Sequence, residues 1–177
     1  MKRTLIGLFC STVICLPILA QHKKAAAEPM SDQDFVEMAA QTDMTEAHLG
    51  KMAADQADSQ AVKDLAQMLV TDHTNDYTQL SNIAGKAGLT VPKGIDEKHN
   101  KMIALFEKLK GKAFDRRYTH EMVLGHEGAL AAYKKESTDG QNADLKAYAS
   151  QTLPTLEKHL SAAKDAEKPK AASKSST

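Results

Sequence analysis

The stretch VKDLAQMLVTDHTNDYTQLSNIA, residues 62–84, carries Val62, Ala66, Leu69, His73, Tyr77, Leu80 and Ala84 at spacings of four or three. That is the period of one face of an α-helix, and it runs unbroken for more than six turns. A helix this long needs long partners to cover its stripe, so the stretch points to a bundle. It also puts a histidine on the inward face. The same arrangement returns in MVLGHEGAL, residues 122–130, where His126 follows Val123 by three residues as His73 follows Val70.

Outward from this helix, the chain lacks tryptophan, is poor in Val and Ile, and is rich in alanine, so it reads as all-α. Ser31 opens a first helix with SDQD, a capping-box variant, and its inward stripe to about Ala57 is Phe35, Ala39, Thr42, Glu46, Leu49 and Ala53. A turn near Asp58 and Ser59 leads into the second helix, which is expected to end at Gly85. GKAGLTVPKG then forms the one long loop, since Gly85, Gly88, Pro92 and Gly94 rule out a continuous helix. A third element is expected from Asp96, bending at Gly111 and continuing from about Lys112 to Ser137, with Phe114, Tyr118, Met122, His126, Ala129 and Tyr133 aligned. The fourth runs from about Ala143 to Ala166 with Leu145, Ala149, Thr152, Leu156, His159 and Ala163 inward and Pro154 inside it. The expected fold is an up-and-down four-helix bundle, with the long loop able to serve as a crossover.

The flanks are different in kind. Lys2 and Arg3 followed by the uncharged run Leu5 to Ala20 have the layout of a bacterial secretory signal peptide, with cleavage expected after Ala20 or Ala27. The chain therefore divides into a signal peptide and junction at 1–27, a bundle at 28–166 and a basic disordered tail at 167–177. Export implies a periplasmic or secreted protein with no integral membrane segment after cleavage. Both cysteines, Cys10 and Cys15, fall in the leader, so the mature chain has no thiolate ligand and no disulfide. Removing Lys2, Arg3, Lys23 and Lys24 from the 23 bases leaves 19 against 23 acids, and removing Lys168, Lys170 and Lys174 takes the core to −7. A core of that charge is not a nucleic-acid binder.

Against helix midpoints near residues 44, 72, 125 and 154, Glu46, His73, His126 and His159 fall within a few residues of one level, at about 1.5 Å per residue. Three imidazoles and a carboxylate suit a divalent ion such as zinc, copper or iron. Asp72, Tyr77, Tyr118, Glu121 and Glu157 are expected to orient the imidazoles or to compete as ligands. The alternative is a buried hydrogen-bond network without metal, in a non-catalytic structural or interaction protein that binds a protein or envelope component. Met44, His48 and Met52 form a weaker soft-metal line, His99 and His120 are expected in solvent, and Asp115, Arg116 and Arg117 on the helix surface in ion pairs. Nothing points to an enzyme: there is no GxSxG, HExxH or phosphate-binding glycine loop, and the carboxylates of a di-iron centre are missing.

FVEMAAQTDMTEAHLGKMA, VKDLAQMLVTDHTNDYTQL, GKAFDRRYTHEMVLGHEGAL and LPTLEKHL together resemble the DUF4142 family, an exported bacterial domain of unknown function, over about Asp34 to Ala163. The resemblance implies export and a ferritin-like four-helix bundle, with no established activity. Gly125 stands where the family usually has an aspartate before the second histidine.

Overall fold

The computed structural model describes residues 30–168, so the expected signal peptide and most of the expected tail lie outside the described residues. Five helices follow in order: α1 (Asp32–Gln56), α2 (Gln60–Lys86), α3 (Glu97–Ala104), α4 (Gly111–Asp139) and α5 (Ala143–Glu167). Among the described residues there is no strand, and no helix is long and apolar enough to cross a membrane. The start signal at Ser31 works as expected, and two further helices start on side-chain caps. Ser31 and Asp34 close the capping box, Ser59 caps α2 through Val62, and the Asn142 side chain accepts from the amides of Asp144 and Leu145.

One element differs from expectation. The third is two helices, because Leu105 to Leu109 form tight turns and Gly111 enters α4 with φ +59°. That left-handed value is easily reached only by glycine. Phe106, between the two, is fully buried edge-on against Phe114.

The 24-residue connection from α2 to α4 is strapped to α1 by three glutamines. Gln33 exchanges bonds with both backbone groups of Thr90, Gln41 bonds the carbonyl of Gly94 and the amide of Asp96, and Gln56 donates to the carbonyl of Glu107. Since these anchors ascend together, the connection runs back along α1 and delivers the chain to the α1–α2 turn. There the carboxylate of Asp115 accepts from the amides of Asp58 and Ser59, so Asp115 is a cap on that turn and not the surface ion-pair partner expected. Arg117 does pair on the surface, with Glu121 at 2.8 Å.

The hairpins α1–α2 and α4–α5 pack side by side, α1 against α4 and α2 against α5, so every neighbouring pair is antiparallel. Gly50 lets α1 approach α2 closely: a Cβ there would lie 2.6 Å from Val70 Cγ2 and 3.0 Å from the Ala66 carbonyl oxygen. α5 continues through Pro154. The ring removes the amide that would bond the Ser150 carbonyl.

The core is two apolar clusters. One gathers Leu49, Leu69, Phe106, Phe114, Tyr118 and Met122, the other Phe35, Leu80, Tyr133, Leu145, Tyr148 and Leu156. A layer of buried polar side chains separates them.

At the far end of the second cluster, Asp32 accepts from the amides of Gln141 and Asn142, while Glu136 is buried beside it with Oε1 unpartnered. Burial, then the neighbouring Asp32 charge, pushes the Glu136 carboxyl up to about 7. A carboxyl raised on folding contributes stability that is full below its ordinary range and is lost as pH climbs through the folded value. Glu136→Gln is therefore expected to raise the thermal midpoint by a few degrees near pH 8 and to change it little near pH 5. Equal midpoints at both pH values would show that the carboxyl is not held neutral.

Candidate metal centre

Each long helix sends one of the four candidate ligands into the dividing layer. Glu46 comes from α1, His73 from α2, His126 from α4 and His159 from α5, all between 1 and 5% exposed. Glu46 Oε2 is 3.0 Å from His73 Nε2 and 3.5 Å from His126 Nε2, and His126 Nε2 is 3.2 Å from His159 Nδ1. One ring nitrogen from each imidazole lies within 4.8 Å of the other two.

The outer nitrogen of every ring has a partner that selects its tautomer. His126 Nδ1 donates to the Met122 carbonyl at 2.8 Å, His159 Nε2 to Asp72 Oδ2 at 2.8 Å, and His73 Nδ1 to Asp43 Oδ1 at 2.8 Å. A neutral ring that donates through one nitrogen offers only a lone pair at the other. His73 Nε2, His126 Nε2 and His159 Nδ1 thus turn three lone pairs inward, and the Glu46 carboxylate adds a fourth acceptor against the first two. His73 Nε2 and Glu46 Oε2, despite their short separation, are not aligned as a hydrogen bond, and neither has another partner. Four facing lone pairs repel unless a cation lies among them, and the cation is either a proton or a metal ion.

Three of the separations suit the metal. Donors about 2.0–2.1 Å from a tetrahedral zinc ion lie roughly 3.3 Å from one another, against 3.0, 3.2 and 3.5 Å for the three short contacts here. Two carboxylates and a backbone carbonyl behind the imidazoles are the usual support of metal-binding histidines. Gly125 leaves the space that Glu46 uses, since a Cβ there would lie 3.0 Å from Glu46 Oε1.

Without metal the layer is a strained charge cluster. Burial works against charge on His73, but the Glu46 carboxylate at 3.0 Å and the bond to Asp43 outweigh it and hold the imidazole up to about 10. Burial likewise raises Glu46, yet the facing imidazoles prevail and its carboxyl is lowered. Burial pushes Asp43 up to about 7 against the bond from His73. His159 falls to about 4, through burial and the neighbouring imidazoles, despite Asp72. His73 is therefore the proton-carrying member.

The four candidate ligands named from the sequence come together. Of the expected supporting groups, Asp72 touches His159, whereas three others do not reach an imidazole. Tyr77 donates to the Pro92 carbonyl at 2.7 Å, Glu157 is exposed on the outer face of α5, and the buried Tyr118 hydroxyl has no partner. Glu121 is held by Arg117. His48 is exposed, His120 lies at the surface near Glu167, and His99 is partly buried and bonded to Asp96. Asp43 was missed. It precedes Glu46 by three residues and therefore shares its face of α1, a spacing that marks it once Glu46 is taken as inward.

The family model for the domain of unknown function DUF4142 matches residues 19–166. No curated protein sequence matches the chain. Among solved structures, CopM in the Cu(II)-bound form superposes with a TM-score of 0.64 at 17% identity, covering 77% of this chain and 95% of CopM. The Cu(I)-bound form gives 0.62 at 18% identity, over 76% and 94%. The Ag-bound form obtained by soaking gives 0.62 at 17%, over 77% and 94%. At such identities the likeness establishes a shared bundle fold and leaves ligands open. With the family model spanning the whole bundle, the chain belongs to the DUF4142 family.

Proposed function

We propose that this is an exported helical-bundle protein that binds one divalent transition-metal ion between its four long helices. Glu46, His73, His126 and His159 are the ligands, oriented by Asp43, Asp72 and the Met122 carbonyl. The observation that carries this reading is the convergence of three imidazole lone pairs, each committed to that direction by a partner behind it, with the Glu46 carboxylate set against two of them. CopM, which shares the fold, has been solved with copper and with silver. Three imidazole nitrogens and a carboxylate, with no thiolate or thioether among them, favour Cu(II) or Zn(II) over the softer Cu(I) and Ag(I). Binding in an exported bundle suits holding or buffering an ion in the envelope and requires no turnover.

A second reading, a metal-free hydrogen-bond network in a structural envelope protein, rests on His73, whose raised imidazole supplies a proton as the central cation. The two differ in what a metal does to that proton. If the ion replaces it, tag-free protein given one equivalent of Zn(II) near pH 7 should take up the ion and release about one proton, read with an indicator dye in weak buffer. Affinity should climb with pH as His73 loses its proton more easily. No uptake, or uptake without proton release, favours the network.

A further inference from the structure

The four ligands are buried, so an ion needs a way in. Three cavities reach the polar layer, and they differ in chemistry. A cleft of about 240 Å³ between α2 and α5 ends on His73 and His159, two of the three imidazoles. Its walls include the carboxylates of Asp72 and Asp76 and the side chains of Gln151 and Thr155, and among the described residues no lysine or arginine lines it. The cavity between α1 and α2 also touches His73, but Lys51 and Lys93 line it. The third, about 140 Å³, meets Glu46 and is lined in part by Leu49, Met102 and Met122.

Building on the metal reading, we propose that the α2–α5 cleft is the path by which the divalent cation enters and leaves the centre. Its oxygen-bearing walls replace water around a hydrated ion as it descends, and the two acids concentrate cations at its mouth. Asp72 occupies both settings: it lines the cleft, about a third exposed, and it holds His159 Nε2. The ion thus meets first the carboxylate that orients its ligand, and His73 Nε2, buried and unpartnered, lies at the inner end. Lysines on the wall of the α1–α2 cavity repel the same ion.

The test is kinetic. Cu(II) mixed rapidly with tag-free protein is followed by quenching of tyrosine fluorescence, since Tyr133 and Tyr148 lie close by, bonded to Asp76 on the cleft wall. Thr155→Phe, which fills the cleft at a position that is not itself a ligand, is expected to slow association and dissociation by the same factor, roughly tenfold, and to leave Kd unchanged. Gln151→Lys, at an exposed position that tolerates substitution, should slow association, with the loss recovered at high salt. Lys93→Gln should not slow it. If wild-type protein binds Cu(II) and neither cleft variant alters the association rate, the path is elsewhere and the proposal falls while the centre stands. If wild-type protein does not take up Cu(II), the metal reading falls and the path with it.

Discussion

Cu(II) or Zn(II) at a hundredfold excess over Kd is expected to stabilise the folded bundle by about 2.7 kcal/mol, because an ion that binds only the native state adds RT ln(1 + [L]/Kd). For a domain of this size that is a rise of roughly 8 °C in the thermal midpoint. The gain should vanish on chelation. His126→Ala and His159→Ala each remove one of the facing donors, and Glu46→Gln removes the anionic one, so each should abolish most of the shift. His48→Ala and His120→Ala, whose imidazoles lie outside the layer, should leave it intact. Scanning calorimetry with and without metal gives the answer. A shift that survives the three ligand substitutions, or disappears with His48→Ala, would locate the ion outside the bundle core.

Metal-free protein is expected to show the second large effect at His73. That imidazole lies between Asp43 at 2.8 Å and Glu46 at 3.0 Å, and all three groups are buried. Removing one partner of a buried ion pair leaves an uncompensated charge and costs about 3–5 kcal/mol. Here two carboxylates lose their counter-charge together, so His73→Ala belongs at the upper end. His126→Ala removes a ring bonded to a backbone carbonyl, and about 1–3 kcal/mol is expected. The His73 pairing also carries a pH signature. An imidazole raised on folding contributes stability that is complete below its ordinary value near 6.5 and is lost as pH rises through the folded value, about 10. Urea titrations of the metal-free wild type between those limits should show falling stability, and Glu46→Gln should lessen the cost of His73→Ala in a double-mutant cycle. A cost below about 1 kcal/mol for His73→Ala would mean that the layer is hydrated and its charges are screened.

Both expectations depend on features of unequal visibility in the chain. Local chemistry was legible directly. The 3.6-residue period placed the centre of the buried face of each long helix, including all four candidate ligands, but not its flanks such as Val36, Ala40 and Tyr148, because a helix buries one stripe and the stripe is written in the order of residues. Ser31 marked a helix start because an unpaired amide near a helix N-terminus needs a side-chain acceptor within two or three residues. Helix length put Glu46, His73, His126 and His159 near one height, since rise per residue is constant.

Contacts between distant segments were not legible. Gln33, Gln41 and Gln56 look like ordinary polar residues until the crossover lies against α1 and offers its free backbone groups. Asp115 reads as a surface charge because nothing local shows that the α1–α2 turn will stand over it. Tyr77 and Glu157 were expected at the imidazoles on spacing alone, yet a rotation of part of a turn sends one to the crossover and the other to solvent. Asp43 was passed over for the opposite reason: a carboxylate beside the stripe turns inward only when a partner across the interface, His73, is present to hold it. Sequence periodicity determined which residues face the interior and at what height. Only the tertiary structure decided which nitrogen of His73 and of His159 faces its neighbours, because that choice belongs to Asp43 and Asp72, brought beside the rings by the packing of helices, whereas His126 is set within α4 by the Met122 carbonyl one turn back.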